Sequence, residues 1–375
     1  AAAMYNDGRA GNHFFTIDNC IFENNTATGN IGAINNWQAS FLMKNCIIRG
    51  NKSKGFAQVY ADGSEGNDQF TIDNCLFENN VVDDQNPDAS TFGGAFYNWQ
   101  CSYVLKNSTF RNNQADVAGA IYNDGRLYTS DFVIDSCLFD GNKGNGYGGG
   151  ALYNWKSNYL LQNTTFKNNF GGSTAGAIYN GDTTTYEIQK CLFENNGATF
   201  GGCVVNFGSG NKGTIFESRF LNNDAITSGG GVVNGFTADV TIFDCEFEGN
   251  QARFGGAINN QNDNTRLLLE HNTFSNNSAQ DYGGAVNVGA GITLLVNDCH
   301  FEINTADFGG AIAMDEDSLD LTRLLVANST FLQNFCTTQG AALNLSDTET
   351  ELTNCLFVTN LNLGEGAGGA ISNNA

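Results

Sequence analysis

The chain has 375 residues, 46 glycines, a single proline and a formal net charge of −22 from 39 acidic and 17 basic side chains. That balance argues against nucleic acid, whose binding rests on Lys and Arg neutralising phosphates, and against anionic membrane surfaces. No stretch approaches the ~18 apolar residues of a membrane helix, so no membrane span is expected.

The chain opens AAAMYNDGR, a phrase that returns as GAIYNDGR at 119–126. An aromatic residue, a spacer and an aliphatic residue follow: Phe15/Ile17, and later Phe41/Met43, Phe70/Ile72, Tyr103/Leu105, Phe132/Ile134, Tyr159/Leu161 and Tyr186/Ile188. Next stands CIFENN at 20–25, whose relatives fill the chain: CLFENN at 75–80 and 191–196, STFRNN at 108–113, CLFDGN at 137–142 and NTFSNN at 272–277. Aligned on its Phe, the phrase marks thirteen units: Phe22, Ile48 in the one gap, Phe77, Phe110, Phe139, Phe166, Phe193, Phe220, Phe247, Phe274, Phe301, Phe331 and Phe357. An Asn stands three residues on in every unit, including Asn113, Asn142, Asn169 and Asn196. Each unit then closes on a glycine phrase, such as GAIN at 32–35, GGAFYN at 93–98, GGAINN at 255–260 and GGAISNN at 368–374.

Each phrase is short, alternates inward and outward, and is rich in β-branched and aromatic residues, with Gly, Asn and Asp between phrases. That is strand–turn chemistry at period 2. Three short strands cannot bury a face within one unit, but they can if each unit is one turn of a coil stacked on the next. The expectation is therefore an all-β solenoid of about thirteen rungs, three short strands per rung, forming one domain over 1–375. The Phe residues become an internal column. The Asn after them turns the chain at a corner and bonds along the axis as Asn ladders do in cross-β stacks. A second Asn column, from Asn36 through Asn98, Asn123, Asn154, Asn180, Asn206 and Asn234 to Asn260, gives way to Val288, Met314 and Leu345.

The alternating FxxN and GGA[IV] phrases resemble the polymorphic outer membrane protein repeats of chlamydial surface proteins, and the resemblance runs along nearly the whole chain. It implies a right-handed parallel β-helix of the pectin-lyase-like type and, more loosely, a surface or adhesive role, since folds host unrelated functions. Proteins of that kind often end in a membrane barrel, a segment this sequence does not show. The chain starts and stops at one phase of the repeat without a polar cap. It is expected to be a segment of a longer array or a subunit that stacks end to end as a homo-oligomer.

Eleven cysteines are present. Eight stand two before the Phe position: Cys20, Cys46, Cys75, Cys137, Cys191, Cys245, Cys299 and Cys355. They point inward with it. From Cys137 onward every second rung carries Thr164, Ser218, Asn272 or Ser329 instead, which spaces the thiols beyond disulfide reach. Free buried thiols are expected, with Cys20–Cys46, Cys46–Cys75 or Cys191–Cys203 as the alternative bridges. Seven N-x-[ST] sequences occur. Asn107, Asn163 and Asn328 share one outward repeat position, and Asn24 and Asn276 point outward beside the corner. These five are the glycosylation candidates. Asn51 belongs to the buried ladder.

No cofactor is expected. Asp315, Asp317 and Asp320 are the best local cluster for weak Ca²⁺ binding. Tyr97, Tyr122, Tyr153 and Tyr179 follow one another at an outward position, flanked by Trp99 and Trp155 with Trp37 earlier. They form an aromatic strip for a glycan or protein ligand, or for packing under loops. A polysaccharide lyase or glycoside hydrolase would need carboxylates, or a base with Ca²⁺ or Arg, at a break in the repeat. The three histidines His13, His271 and His300 are far apart, and Asp83/Asp84 has no basic partner nearby in its rung, so no catalytic residue is assigned. The reading is a non-enzymatic extracellular or cell-surface β-solenoid with a structural or adhesive role. The alternative is a polysaccharide-processing enzyme on the same scaffold.

Overall fold

The computed structural model describes residues 3–8, 14–63, 69–83, 90–127, 129–261, 265–314, 322–364 and 368–374. Among these residues the chain is all-β, with no helix. It is a parallel β-solenoid of about 13 turns with four parallel sheets. Contacts divide the chain into two compact units, Ala1–Glu187 and Ile188–Ala375, each built from the same turn.

One turn of the second unit shows the plan. Val232–Asn234 lies in the first sheet, Asp239–Phe243 in the second, Glu246–Glu248 in the third and Gln251–Phe254 in the fourth. The three expected phrases supply the first three sheets, so three strands per rung is corrected to four. The fourth strand is often only two residues, as in Lys52–Ser53, Gln114–Ala115 and Asp224–Ala225. Its buried member is small: Ser53, Ala115, Gly144, Gly171 or Ala225. So short and small a pair carries no hydrophobic period to read.

The corners also differ from expectation. Left-handed backbone falls three residues before the Phe position and two after it, at Asn107 (φ 52°) and Asn112 (φ 52°), Asp244 (52°) and Gly249 (67°), and the equivalents in every unit. The Asn three after the Phe is not the corner residue. Its side chain is buried instead. In the second unit Asn250 donates from Nδ2 to Asn277 Oδ1 (2.9 Å) and to Phe220 O (2.8 Å). It accepts at Oδ1 from the backbone N–H (3.1 Å) and Nδ2 (2.9 Å) of Asn223. The same four bonds recur at Asn80 and Asn113 in the first unit. Every polar atom of a fully buried amide is thus satisfied, which is the condition for placing it there.

Inside, the Phe residues stack in register. Ring centroids are 4.5 Å apart for Phe77–Phe110 and 4.7 Å for Phe139–Phe166 in the first unit, and 4.6 Å for Phe220–Phe247 and 4.8 Å for Phe274–Phe301 in the second. The units differ at the second sheet. The first carries an aromatic column there, from Phe15 and Phe41 through Phe70, Tyr103, Phe132 and Tyr159 to Tyr186. In the second, Val240, Leu267, Leu294 and Leu324 occupy that position. The second amide column, that of Asn123, Asn154 and Asn180, is coupled to the aromatic one, since Tyr103 and Tyr159 donate their hydroxyls to Asn123 and Asn180 (both 3.0 Å).

All eleven cysteines are free thiols, and only Cys20 and Cys355 are not buried. The alternation along their column has a hydrogen-bonding cause. The backbone N–H of Cys137 donates to Thr164 Oγ1 (3.2 Å), that of Cys191 to Ser218 Oγ (3.1 Å) and that of Cys299 to Ser329 Oγ (3.1 Å). Each hydroxyl donates in turn to the carbonyl two residues before it, at 2.7–2.8 Å. Where Cys follows Cys, at Cys46 and Cys75, the N–H meets sulfur at 3.5 Å.

Candidate functional site

With the interior filled by repeating ladders, chemistry that varies from turn to turn lies outside. The outward face of the first sheet carries the expected tyrosines of the first unit. Their rings stack in register, at 4.9 Å for Tyr97–Tyr122, 4.8 Å for Tyr122–Tyr153 and 4.7 Å for Tyr153–Tyr179. They are not an exposed strip: Tyr97, Tyr122, Tyr153 and Tyr179 are 2–6% exposed. The segment before each glycine phrase folds back across them. Phe56 meets Tyr97 edge-on at 5.1 Å, Phe92 meets Tyr122 at 5.1 Å and Tyr147 meets Tyr179 at 5.3 Å. The turn that allows this is made at Gly93 (φ 61°), where a Cβ would come within 2.4 Å of Phe96 O. Burial holds all four phenols above the usual tyrosine range, so they stay neutral.

Beside the tyrosines runs a column that alternates acid and indole: Trp37, Asp62, Trp99, Asp124 and Trp155 are in register on successive strands. The indoles are half-buried, while Asp62 and Asp124 are buried. Asp124 is satisfied by Arg126, whose Nε lies 2.9 Å from Oδ1 and Nη2 2.7 Å from Oδ2, and by the hydroxyl of Tyr97 at 3.0 Å. The guanidinium lies over the Trp99 ring, 5.2 Å from its centroid, and the carboxylate holds it further into its charged range. A buried carboxylate so fully engaged is a structural ion pair, not a free base. No pattern in the sequence had singled out Asp124 and Arg126. The signal was the NDGR phrase at 123–126, read only as a repeat marker.

The third sheet of the first unit shows a second overlooked ladder. Its outward residues are Glu23, Arg49, Glu78, Arg111, Asp140 and Lys167, in register and alternating in sign. Arg49 pairs with Glu23 at 2.9 Å, and Arg111 lies 3.6 Å from Glu78 and 3.7 Å from Asp140. Being exposed, each pair contributes little by itself, but together they neutralise that face. In the second unit the corresponding positions read Glu194, Leu221, Glu248, Ser275 and Glu302, so much of the negative charge is left uncompensated there. His271 sits at an exposed corner between Asp244 (3.7 Å) and Asp298 (3.4 Å), and His300 faces Glu302 (3.4 Å).

The five glycosylation candidates Asn24, Asn107, Asn163, Asn276 and Asn328 are all exposed and all occupy left-handed corners. Asn107 donates to Asp73 Oδ1 (2.8 Å), Asn163 to Asp135 Oδ1 (2.9 Å) and Asn328 to Asn297 Oδ1 (3.0 Å). Each keeps a second amide hydrogen. Asn51 is fully buried in the ladder. Asp315, Asp317, Asp320, Asp84 and His13 lie outside the described residues. Among the described residues, no group of three or more His, Cys, Asp or Glu side chains is gathered as a metal site would need, and no helix is long and apolar enough to cross a membrane.

Residues 244–261 and 273–289 match the Chlamydia polymorphic membrane protein repeat. Each begins at or just before its third-sheet strand, runs through the fourth and ends past the first-sheet strand, as Glu246–Glu248, Gln251–Phe254 and Ile258–Asn260 show for the first of them. The repeat thus spans the buried Asn ladder and the glycine turn, the two features that hold one turn on the next. Comparison with curated proteins and with solved structures returned no match.

Proposed function

We propose that this protein is a non-enzymatic structural or adhesive element of a cell surface, a scaffold whose invariant interior carries a variable exterior. The observation that carries this reading is the contrast between the two. The Asn ladder repeats without a break through each unit and the Phe ladder with Ile48 as its one substitution, while the outward columns change sign, size and polarity from turn to turn. The match of 244–261 and 273–289 to the Chlamydia polymorphic membrane protein repeat supports a surface setting. The engagement of Asp124 by Arg126 and Tyr97 supports a structural rather than catalytic use of the one fully buried carboxylate described. A ligand at this surface would be a glycan or a protein, met by the exposed parts of the outward columns.

The test has two arms. Antibody raised to the purified chain is expected to label intact, unpermeabilised cells of the source, and labelling only after permeabilisation would overturn the surface reading. Incubation with pectin-like and other uronate polymers is expected to release neither new reducing ends nor unsaturated products. Turnover of any of them would overturn the non-enzymatic reading.

A further inference from the structure

The outward face of the second sheet in the second unit has an order that the solenoid itself does not need. Its middle column carries Leu268, Leu295 and Leu325 on successive turns, half-buried along a shallow groove of about 290 Å³. Parallel sheets are usually covered on both faces, and a leucine row open to water is costly unless something seats on it. Beside it runs a second outward column in register: Lys212, Asp239, Arg266, Thr293, Arg323 and Glu349.

That column is complementary to itself read backwards. A two-fold axis lying between two such faces, parallel to the strands and passing between the Arg266 and Thr293 turns, reverses the order of the turns while keeping each column against its own copy. Lys212 then faces Glu349 of the second copy, Asp239 faces Arg323, and Arg266 faces Thr293. The same operation sets Leu268 against Leu295 at the centre. Within one chain these charges are only loosely engaged, with Arg266–Asp239 at 3.7 Å and Arg323–Glu349 at 3.4 Å, all four side chains about half exposed. The first unit has apolar residues at the middle position too, Val104, Val133 and Leu160, but its flanking column of Ser102, Asp131 and Asn158 shows no such order.

We infer that this face is a lateral, two-fold self-association surface whose occupant is a second copy of this chain, packed face to face with its turns running the opposite way. The inference does not depend on the surface role proposed above. Six turns at about 4.8 Å and strands of about 17 Å give roughly 500 Å² per copy and about 1,000 Å² in total, below the standard size of specific interfaces and in the range of weak ones. The dimer is therefore weak, and its register is set by charge rather than by area.

Sedimentation of the full chain over a concentration series at low salt tests this. A monomer–dimer equilibrium is expected, weakened about tenfold or more by Arg323→Glu, which makes two like-charge contacts per dimer. Because the pairs are reciprocal, Asp239→Arg combined with Arg323→Glu restores the opposite-sign contacts and is expected to recover the dimer. Leu295→Ser should weaken it without changing the circular dichroism spectrum. A chain that stays monomeric at the highest concentration, association into open polymers, or a dimer indifferent to Arg323→Glu would each overturn the inference.

Discussion

At the scale of single residues, two side-chain types do most of the specifying. The ladder Asn is buried because a parallel stack offers it a complete set of partners one turn away in each direction. Asn250→Ala removes four hydrogen bonds and leaves the amide of Asn223 without its acceptor. The expected loss is about 3 kcal/mol or more, read as a fall in the urea midpoint, and a loss under about 1 kcal/mol would show the ladder to be passive. The corner residue is under a different constraint, left-handed backbone, which costs an ordinary L-residue about 1–2 kcal/mol. Most units put Asn, Gly or Asp there. Ile303 (φ 55°) and Thr359 (φ 49°) are the β-branched exceptions, and Ile303 is half-exposed. Ile303→Asn should therefore stabilise the chain by about 1 kcal/mol, seen as a raised midpoint.

At the scale of the strand and its column, the thiols matter through burial. Cys137, Cys245 and Cys299 are pushed up to about 12 by desolvation in the core. In the unfolded chain the same thiols ionise near their ordinary value. Their contribution to stability is thus fully present below about pH 9 and is lost as pH climbs toward 12. Each thiol accounts for about 1.4 kcal/mol per pH unit in that window, and the three together for about 4. Denaturation midpoints measured at pH 8 and pH 10 should fall accordingly, and replacing the three cysteines by alanine should flatten the slope. A profile unchanged by that replacement would assign the alkaline loss to the buried tyrosines instead. The fourth strand belongs to this scale as well. It was invisible in the sequence because two residues with a small buried member have no period, and it forms only because the Asn ladder and the glycine turn bring it against its neighbour.

At the scale of the whole molecule, stability is additive over turns, because each turn contacts mainly those beside it. Phe220 and Phe247 are 27 residues apart and paired in register. Deleting residues 220–246 therefore removes one turn and sets Phe247 against Phe193 with every ladder intact. The shortened chain should be soluble, with an unchanged circular dichroism signal per residue and cooperative melting. Aggregation or loss of structure would mean that individual turns are not interchangeable. The exterior does not share this equivalence, since charge alternates along the third sheet of the first unit and thins to spaced glutamates in the second. That difference lets one scaffold present distinct faces.

Repetition let the sequence alone determine the parallel coil, the number of turns, the Phe column, the axial Asn ladder and the inward thiols. A residue type recurring at one phase of every unit has to meet its own copies when units stack, so period becomes contact without further information. Where contacts join different phases of the repeat, only the tertiary structure decided the outcome. It placed the left-handed corner one residue before the ladder Asn, because the amide needs its side chain inside. It covered the tyrosine row, because the segment before the glycine turn folds back across the sheet. It laid the Arg126 guanidinium over the Trp99 ring of the neighbouring turn, and it left the charged side chains of the second-sheet face half exposed.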